Sequence, residues 1–136
     1  MPSGHAVLDS ELPGGGWPRG SLTELLLDAP GQGELTLLAP ALAQLEGRNC
    51  VWVLPCTPGA RRPAAEPEAL PYAPALAAAG IDCARHLFVR PATARESWWA
   101  MEQALRGEHL GALIAWLPAG SSDGALIPKA KTLGQP

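Results

Sequence analysis

Short apolar runs alternate along this chain with segments of helical periodicity, and no other feature of the sequence constrains the fold as strongly. Four runs of strand length predict β-strands over residues 21–27, 49–54, 86–90 and 110–117. Helical spacing of apolar residues predicts helices over residues 34–46, 72–79 and about 94–106. Strands that alternate with helices favour a parallel sheet with right-handed crossovers, so the sequence predicts an α/β fold.

Local signals mark where these elements begin and end. Thr93, followed three residues later by Glu96, forms a capping box that predicts a helix start. Gly80 predicts the end of helix 72–79, and Pro40 predicts a kink or a late start in helix 34–46. The weak periodicity after residue 118 predicts an irregular tail over 119–136, which leaves one domain over 1–118.

The composition argues against strong direct binding of DNA. The net charge is −3, and the one tight basic pair, Arg61-Arg62, lies in a Pro/Ala-rich stretch that predicts a solvated loop. Binding to the phosphate backbone depends on clustered Lys and Arg side chains. We therefore expect no strong contact between this chain alone and nucleic acid.

The cysteine count and the hydropathy pattern predict a cytoplasmic protein. Cys50, Cys56 and Cys83 are odd in number and lack CxxC spacing, so we expect neither a disulfide framework nor a zinc site. No apolar run reaches the roughly 18 residues of a membrane helix, and the first ten residues lack a signal pattern. We therefore expect no membrane association.

No catalytic constellation is recognisable in the sequence. Ser21 lies in no nucleophile motif, and His5, His86 and His109 lack the spacing of metal ligands, so each is expected to be structural or exposed. The sequence therefore predicts no catalytic residue, no metal and no cofactor.

Residues 21–35 have the order of a phosphate-binding unit: a strand, a Gly-rich loop and a helix. In the pattern GxxxxGK[ST], backbone N–H groups bind phosphates, Lys balances their charge and a hydroxyl ligates magnesium. On this chain the pattern falls on Asp28, Gly33, Glu34 and Leu35, with Gly31 inside the loop, and Gly33 alone matches. Glu34 repels a triphosphate and Leu35 has no hydroxyl, so we expect this loop not to bind nucleotide.

Three further segments, together with this one, resemble RecA recombinases. The segment Gly-Gly-Gly-Trp-Pro-Arg-Gly at 14–20 resembles the approach to the RecA phosphate loop. Residues 50–55 resemble the strand before the catalytic glutamate, whose position falls on Cys56, and residues 113–116 resemble the Walker B strand, whose aspartate position falls on Leu117. The resemblance implies a RecA-like parallel sheet flanked by helices, with a degenerate nucleotide site.

The chain resembles the ImuA family more closely, over roughly residues 3–120. The segments that carry this resemblance are residues 8–20, 22–27, 31–35, 70–82, 89–92, 102–106 and 115–117, together with Trp98. Members of this family are RecA-like accessory proteins of bacterial mutasome cassettes, related to the SulA division inhibitors. Residues 121–136 do not resemble the family's continuation, so we expect a C-terminally shortened copy.

The resemblance to ImuA implies a non-catalytic role in SOS-induced translesion DNA synthesis. The implied partners are an ImuB-like inactive Y-family polymerase and an error-prone DnaE-type polymerase, with RecA as a further partner, and self-association is left open. A SulA-like inhibitor that binds the division protein FtsZ is one alternative. A protein with residual ATP binding is the other.

Four side chains are candidate partner contacts: Trp17, Arg19, Trp98 and Trp99. Trp17 lies in a Gly/Pro turn, where it serves either as a contact anchor or as a cover for the sheet edge. Trp98 and Trp99 are adjacent on a predicted helix and cannot face the same way, so one is expected in the core and the other partly exposed.

Overall fold

The computed structural model describes residues 1–29, 31–45, 47–56 and 70–117. The predicted loop around Arg61 and Arg62, the domain boundary at 118 and the tail 119–136 lie outside the described residues and stay predictions. The described residues belong to two compact units. The first takes its residues from Met1–Glu46 and Ala69–Ala84, and the second from Gly47–Glu68 and Arg85–Pro136.

The described part of the first unit is helical. It contains α1 (Ala6–Glu11), α2 (Glu34–Ala43) and α3 (Ala73–Ala78). The start of α2 confirms the predicted helix, which accommodates Pro40 in its interior and ends three residues earlier than predicted. The short helix α1 was not predicted, because one and a half turns contain too few residues to show a periodicity.

The chain before α1 is held by the side chain of Asp9. Its carboxylate accepts a hydrogen bond from the backbone N–H of Ser3 at 2.8 Å. Hydrogen bonding by Ser3 holds the pKa of Asp9 below its usual value, because these bonds favour the charged form. The two residues therefore fix the turn that leads into α1.

Helix α3 ends in a Schellman motif, as the position of Gly80 predicts. Gly80 has a φ of 82°, in the left-handed region. Its N–H donates to the carbonyl of Ala77 at 3.0 Å, and the N–H of Ile81 donates to that of Leu76 at 3.0 Å. Leu76 and Ile81 are both buried, so the apolar contact that accompanies this motif fixes the exit from the helix.

The second unit contains a three-stranded parallel sheet. Its elements are β1 (Asn49–Val53), β2 (His86–Val89), α4 (Ala94–Arg106) and β3 (Leu110–Ala115). The strand order is β2-β1-β3, and both pairs are parallel. The predicted α/β class and three of the four predicted strands are therefore confirmed.

The apolar side chains of β1 alternate between two faces of this sheet. Val51 and Val53 pack with Met101 of α4, in a cluster that also contacts Trp98 and Leu113. Trp52, on the opposite face, is fully buried, as expected for a core tryptophan. The central strand is buried on both faces because apolar side chains project from both.

Helix α4 begins where the capping box predicts. The hydroxyl of Thr93 accepts a hydrogen bond from the N–H of Glu96 at 3.2 Å. The carboxylate of Glu96 reaches back to the N–H of Ala92 at 2.7 Å, one residue earlier than in the standard box. Both bonds satisfy backbone N–H groups at the start of the helix, which fixes the first turn of α4.

The strand predicted over residues 21–27 is wrong: residues 22–27 have no regular secondary structure. Their leucines are largely exposed, with Leu26 at 86%. No backbone hydrogen bond joins this segment to any other described residue. A strand exists only as part of a hydrogen-bonded ladder, and an apolar run alone does not supply one.

Candidate functional site

The loop before α2 is the segment that the sequence identifies as a degenerate phosphate-binding loop. Asp28 is exposed, whereas Leu35 is half-buried in the first turn of α2. Gly31 and Gly33 have φ values of 83° and 103°, which favour glycine at both positions. A residue with a side chain would be strained at either position.

Glu34, at the position of the phosphate-binding lysine, turns back into this loop. Its side chain is buried, and its Oε1 accepts a hydrogen bond from the N–H of Gly31 at 2.8 Å. A carboxylate there supplies the negative charge that the N–H groups and the helix N-terminus favour. A phosphate at this place would compete with the Glu34 carboxyl group for the N–H of Gly31.

Cys56 and Leu117 follow the carboxyl ends of neighbouring parallel strands. Cys56 comes three residues after the end of β1, and Leu117 comes two residues after the end of β3. The N–H of Trp116 donates to the carbonyl of Val53 at 3.2 Å, so the pairing of these strands continues to this edge. A half-buried thiol and a 45% exposed leucine supply neither a general base nor a magnesium ligand.

Of the four candidate contacts, Trp17 is the least accessible. It is only 9% exposed, and its carbonyl accepts a hydrogen bond from the Met1 ammonium at 2.8 Å. A Cβ at Gly16 would lie 2.2 Å from the carbonyl oxygen of Met1, so the turn requires glycine there. Burial leaves little of the Trp17 ring for a partner, whereas Arg19 is exposed.

Trp98 and Trp99 have the division of roles that the sequence predicts. Trp98 is half-buried and packs against the cluster of Val51, Val53 and Met101. Trp99 is 62% exposed. The expectation of one core and one exposed tryptophan is confirmed, and Trp99 is the tryptophan that a partner can reach.

Sequence reasoning missed an aromatic cluster centred on Trp52. Its ring lies 5.5 Å from that of Phe88 and 6.1 Å from that of Trp116, centroid to centroid, and both pairs are stacked. Its indole N–H donates to Nδ1 of His86 at 2.8 Å, which gives this histidine a structural role. The alternation of His86 and Phe88 along one strand was the available signal, because these side chains share a face.

Burial makes the thiol of Cys50 inert. Cys50 lies in β1 and is fully buried, and desolvation raises the pKa of its thiol to about 12. The thiolate is the reactive form, so at neutral pH this cysteine is neither a nucleophile nor a metal ligand.

Two features of the described residues bear on metal and membrane binding. They contain no group of three or more His, Cys, Asp or Glu side chains placed to hold a metal ion. None of the described helices is long and apolar enough to cross a membrane.

Comparison of the chain with protein-family models, with curated proteins and with solved structures finds no match.

Proposed function

We propose that this chain is a RecA-like, ImuA-type accessory protein that acts in SOS-induced translesion synthesis through protein contacts and without nucleotide chemistry. The absence of nucleotide chemistry in this proposal is supported mainly by one observation. The carboxylate of Glu34 is buried and hydrogen-bonded to the N–H of Gly31 at 2.8 Å. A phosphate at this place would have to displace the carboxylate from the N–H of Gly31.

The strand ends in the second unit support the same proposal. In RecA-type ATPases a glutamate and an aspartate follow two strands of the sheet, and the matching positions here are Cys56 and Leu117. These residues follow neighbouring parallel strands, which agrees with such an ancestry. Neither side chain carries a charge or an oxygen ligand, so both groups of the former site are replaced.

The partners in this proposal come from the resemblance to the ImuA family. They are an ImuB-like inactive Y-family polymerase and an error-prone DnaE-type polymerase, with RecA as a further partner. The chain's role would be to hold these components together at a lesion.

The test is a pull-down with the full, tagged chain as bait. The preys are the purified ImuB-like polymerase, the DnaE-type polymerase and FtsZ from the same bacterium, each offered separately. We expect retention of at least one polymerase component and no retention of FtsZ. Retention of FtsZ alone would contradict the mutasome role and would indicate a SulA-like division inhibitor.

A further inference from the structure

Helix α4 exposes a tryptophan on the side that faces away from the sheet. Met101 is buried against the sheet, whereas Trp99, two residues earlier, is 62% exposed. At 3.6 residues per turn, these side chains project about 160° apart around the helix axis. With a full tryptophan surface of roughly 250 Å², about 150 Å² of the Trp99 side chain remains in water.

Polar neighbours surround Trp99 on this side of the helix. Arg95 lies one turn before it and Gln103 one turn after it, and residues four apart are neighbours on a helix surface. Arg106 follows at the next turn, and all four residues are exposed. These four residues are called the α4 outer face below.

The charged side chains of α4 differ in whether they have a hydrogen-bond or ion-pair partner. The carboxylate of Glu96 accepts from the N–H of Ala92 at 2.7 Å. Glu102 forms an ion pair with Arg106 at 2.7 Å. Arg95 has neither an ion pair nor a hydrogen bond within the described part of the chain. The exposed indole is therefore one helical turn from an arginine that forms no ion pair with any described residue.

We infer that the α4 outer face binds an acidic, apolar segment of a partner protein. In this contact an apolar side chain covers the ring of Trp99, and a carboxylate pairs with Arg95. Tryptophan and arginine are the residues that most often dominate binding energy at protein interfaces. Arginine forms two parallel hydrogen bonds with a carboxylate, so the acidic residue also fixes the register of the segment.

A nucleic acid fits this face less well than an acidic segment. Binding to a phosphate backbone depends on clustered Lys and Arg side chains. The α4 outer face has two arginines, and one of them, Arg106, is already paired with Glu102. The face is also preorganised, because the capping box fixes the start of α4 and the ion pair of Arg106 with Glu102 joins its last turns.

This inference rests on the proposed function, in which the chain acts through protein contacts, but its first test uses peptides and needs no mutasome component. The full chain is immobilised and used to select binders from a displayed library of random dodecapeptides. The selected peptides are then measured by fluorescence anisotropy against the wild-type chain and four variants. Trp99→Gln and Arg95→Glu change the α4 outer face.

Tyr72→Gln and Arg48→Glu are the matched controls. Tyr72 is a 69% exposed aromatic residue outside α4, and Arg48 is an exposed arginine that precedes β1. Each control makes the same kind of change as its partner variant, at a different surface. Far-UV circular dichroism checks that all four variants keep the wild-type helix content.

We expect selected peptides that combine Asp or Glu with Leu, Ile or aromatic residues. Binding should weaken roughly tenfold or more in Trp99→Gln and in Arg95→Glu, and stay unchanged in both controls.

Failure to select any peptide, enrichment of basic peptides, or equal binding by Trp99→Gln would overturn the inference. Retention of a polymerase component by Trp99→Gln at wild-type levels would also overturn it while leaving the proposed function intact. Trp99-dependent binding of peptides, combined with no retention of any polymerase component, would support the inference and contradict the proposed function.

Discussion

Two apolar segments of similar length have opposite environments in this protein. In β1, Trp52 and Val53 are fully buried, whereas in residues 22–27 Leu26 is 86% exposed. The difference is that β1 pairs with β2 on one side and β3 on the other, while residues 22–27 pair with no described strand. The comparison teaches that apolar side chains stabilise a strand only when neighbouring strands satisfy its backbone.

The largest expected effect comes from Trp52→Ala in the centre of the sheet. The substitution removes two stacked ring contacts and the hydrogen bond to His86, and it leaves a cavity. We expect the free energy of unfolding, measured by urea denaturation, to fall by about 3–5 kcal/mol. A loss below about 1 kcal/mol would show that β1 is not the centre of the core.

Thiol labelling compares a cysteine in the buried strand β1 with two half-buried cysteines elsewhere in the chain. The pKa of Cys50 is raised from 9.0 to about 12, so its thiolate fraction at neutral pH falls by about a thousandfold. Cys56 and Cys83 are half-buried. In the native protein we expect Ellman's reagent to modify Cys56 and Cys83 quickly and Cys50 only after unfolding. Three equally fast thiols would contradict the buried position of β1.

Thr93→Ala tests a contribution from local hydrogen bonding beside the sheet. The substitution removes the hydroxyl that accepts from the N–H of Glu96. We expect a loss of about 1 kcal/mol in the free energy of unfolding. Thr93→Ser keeps the acceptor and serves as the control, and equal losses in both variants would argue against the capping role.

Leu26→Ser should have the smallest effect. Because this side chain is already in water, we expect the free energy of unfolding to change by less than about 0.5 kcal/mol. The same substitution at Leu54, which is 3% exposed directly after β1, should cost several times more. A loss of about 2 kcal/mol at Leu26 would mean that residues 22–27 are packed after all.

The features that the sequence predicted correctly depend on neighbours along the chain. The capping box of Thr93 and Glu96 and the Schellman motif at Gly80 involve residues within one or two turns. The opposite orientations of Trp98 and Trp99 follow from helix geometry alone. Apart from the short helix α1, the features that it missed depend on distant residues: the pairing of Trp52 with His86, the turn of Trp17 against Met1, and the missing ladder at residues 22–27.

The candidate site shows the same contrast between features that are visible in the sequence and features that depend on the folded backbone. Glu34 at the position that the phosphate-loop pattern assigns to lysine is visible in the sequence, as is the absence of acidic residues at Cys56 and Leu117. The sequence pattern indicated that Glu34 would repel a triphosphate. It did not indicate that the carboxylate turns back to the N–H of Gly31, because that depends on the left-handed glycines of the loop.

The central claim is the proposal that the loop before α2 does not bind nucleotide, and a titration with a fluorescent ATP analogue and magnesium tests it most directly. The carboxylate of Glu34 already accepts the N–H of Gly31 and opposes a phosphate at that position. We therefore expect no saturable change in fluorescence anisotropy up to millimolar concentrations of the full chain. Saturable micromolar binding that excess ATP reverses would contradict the account.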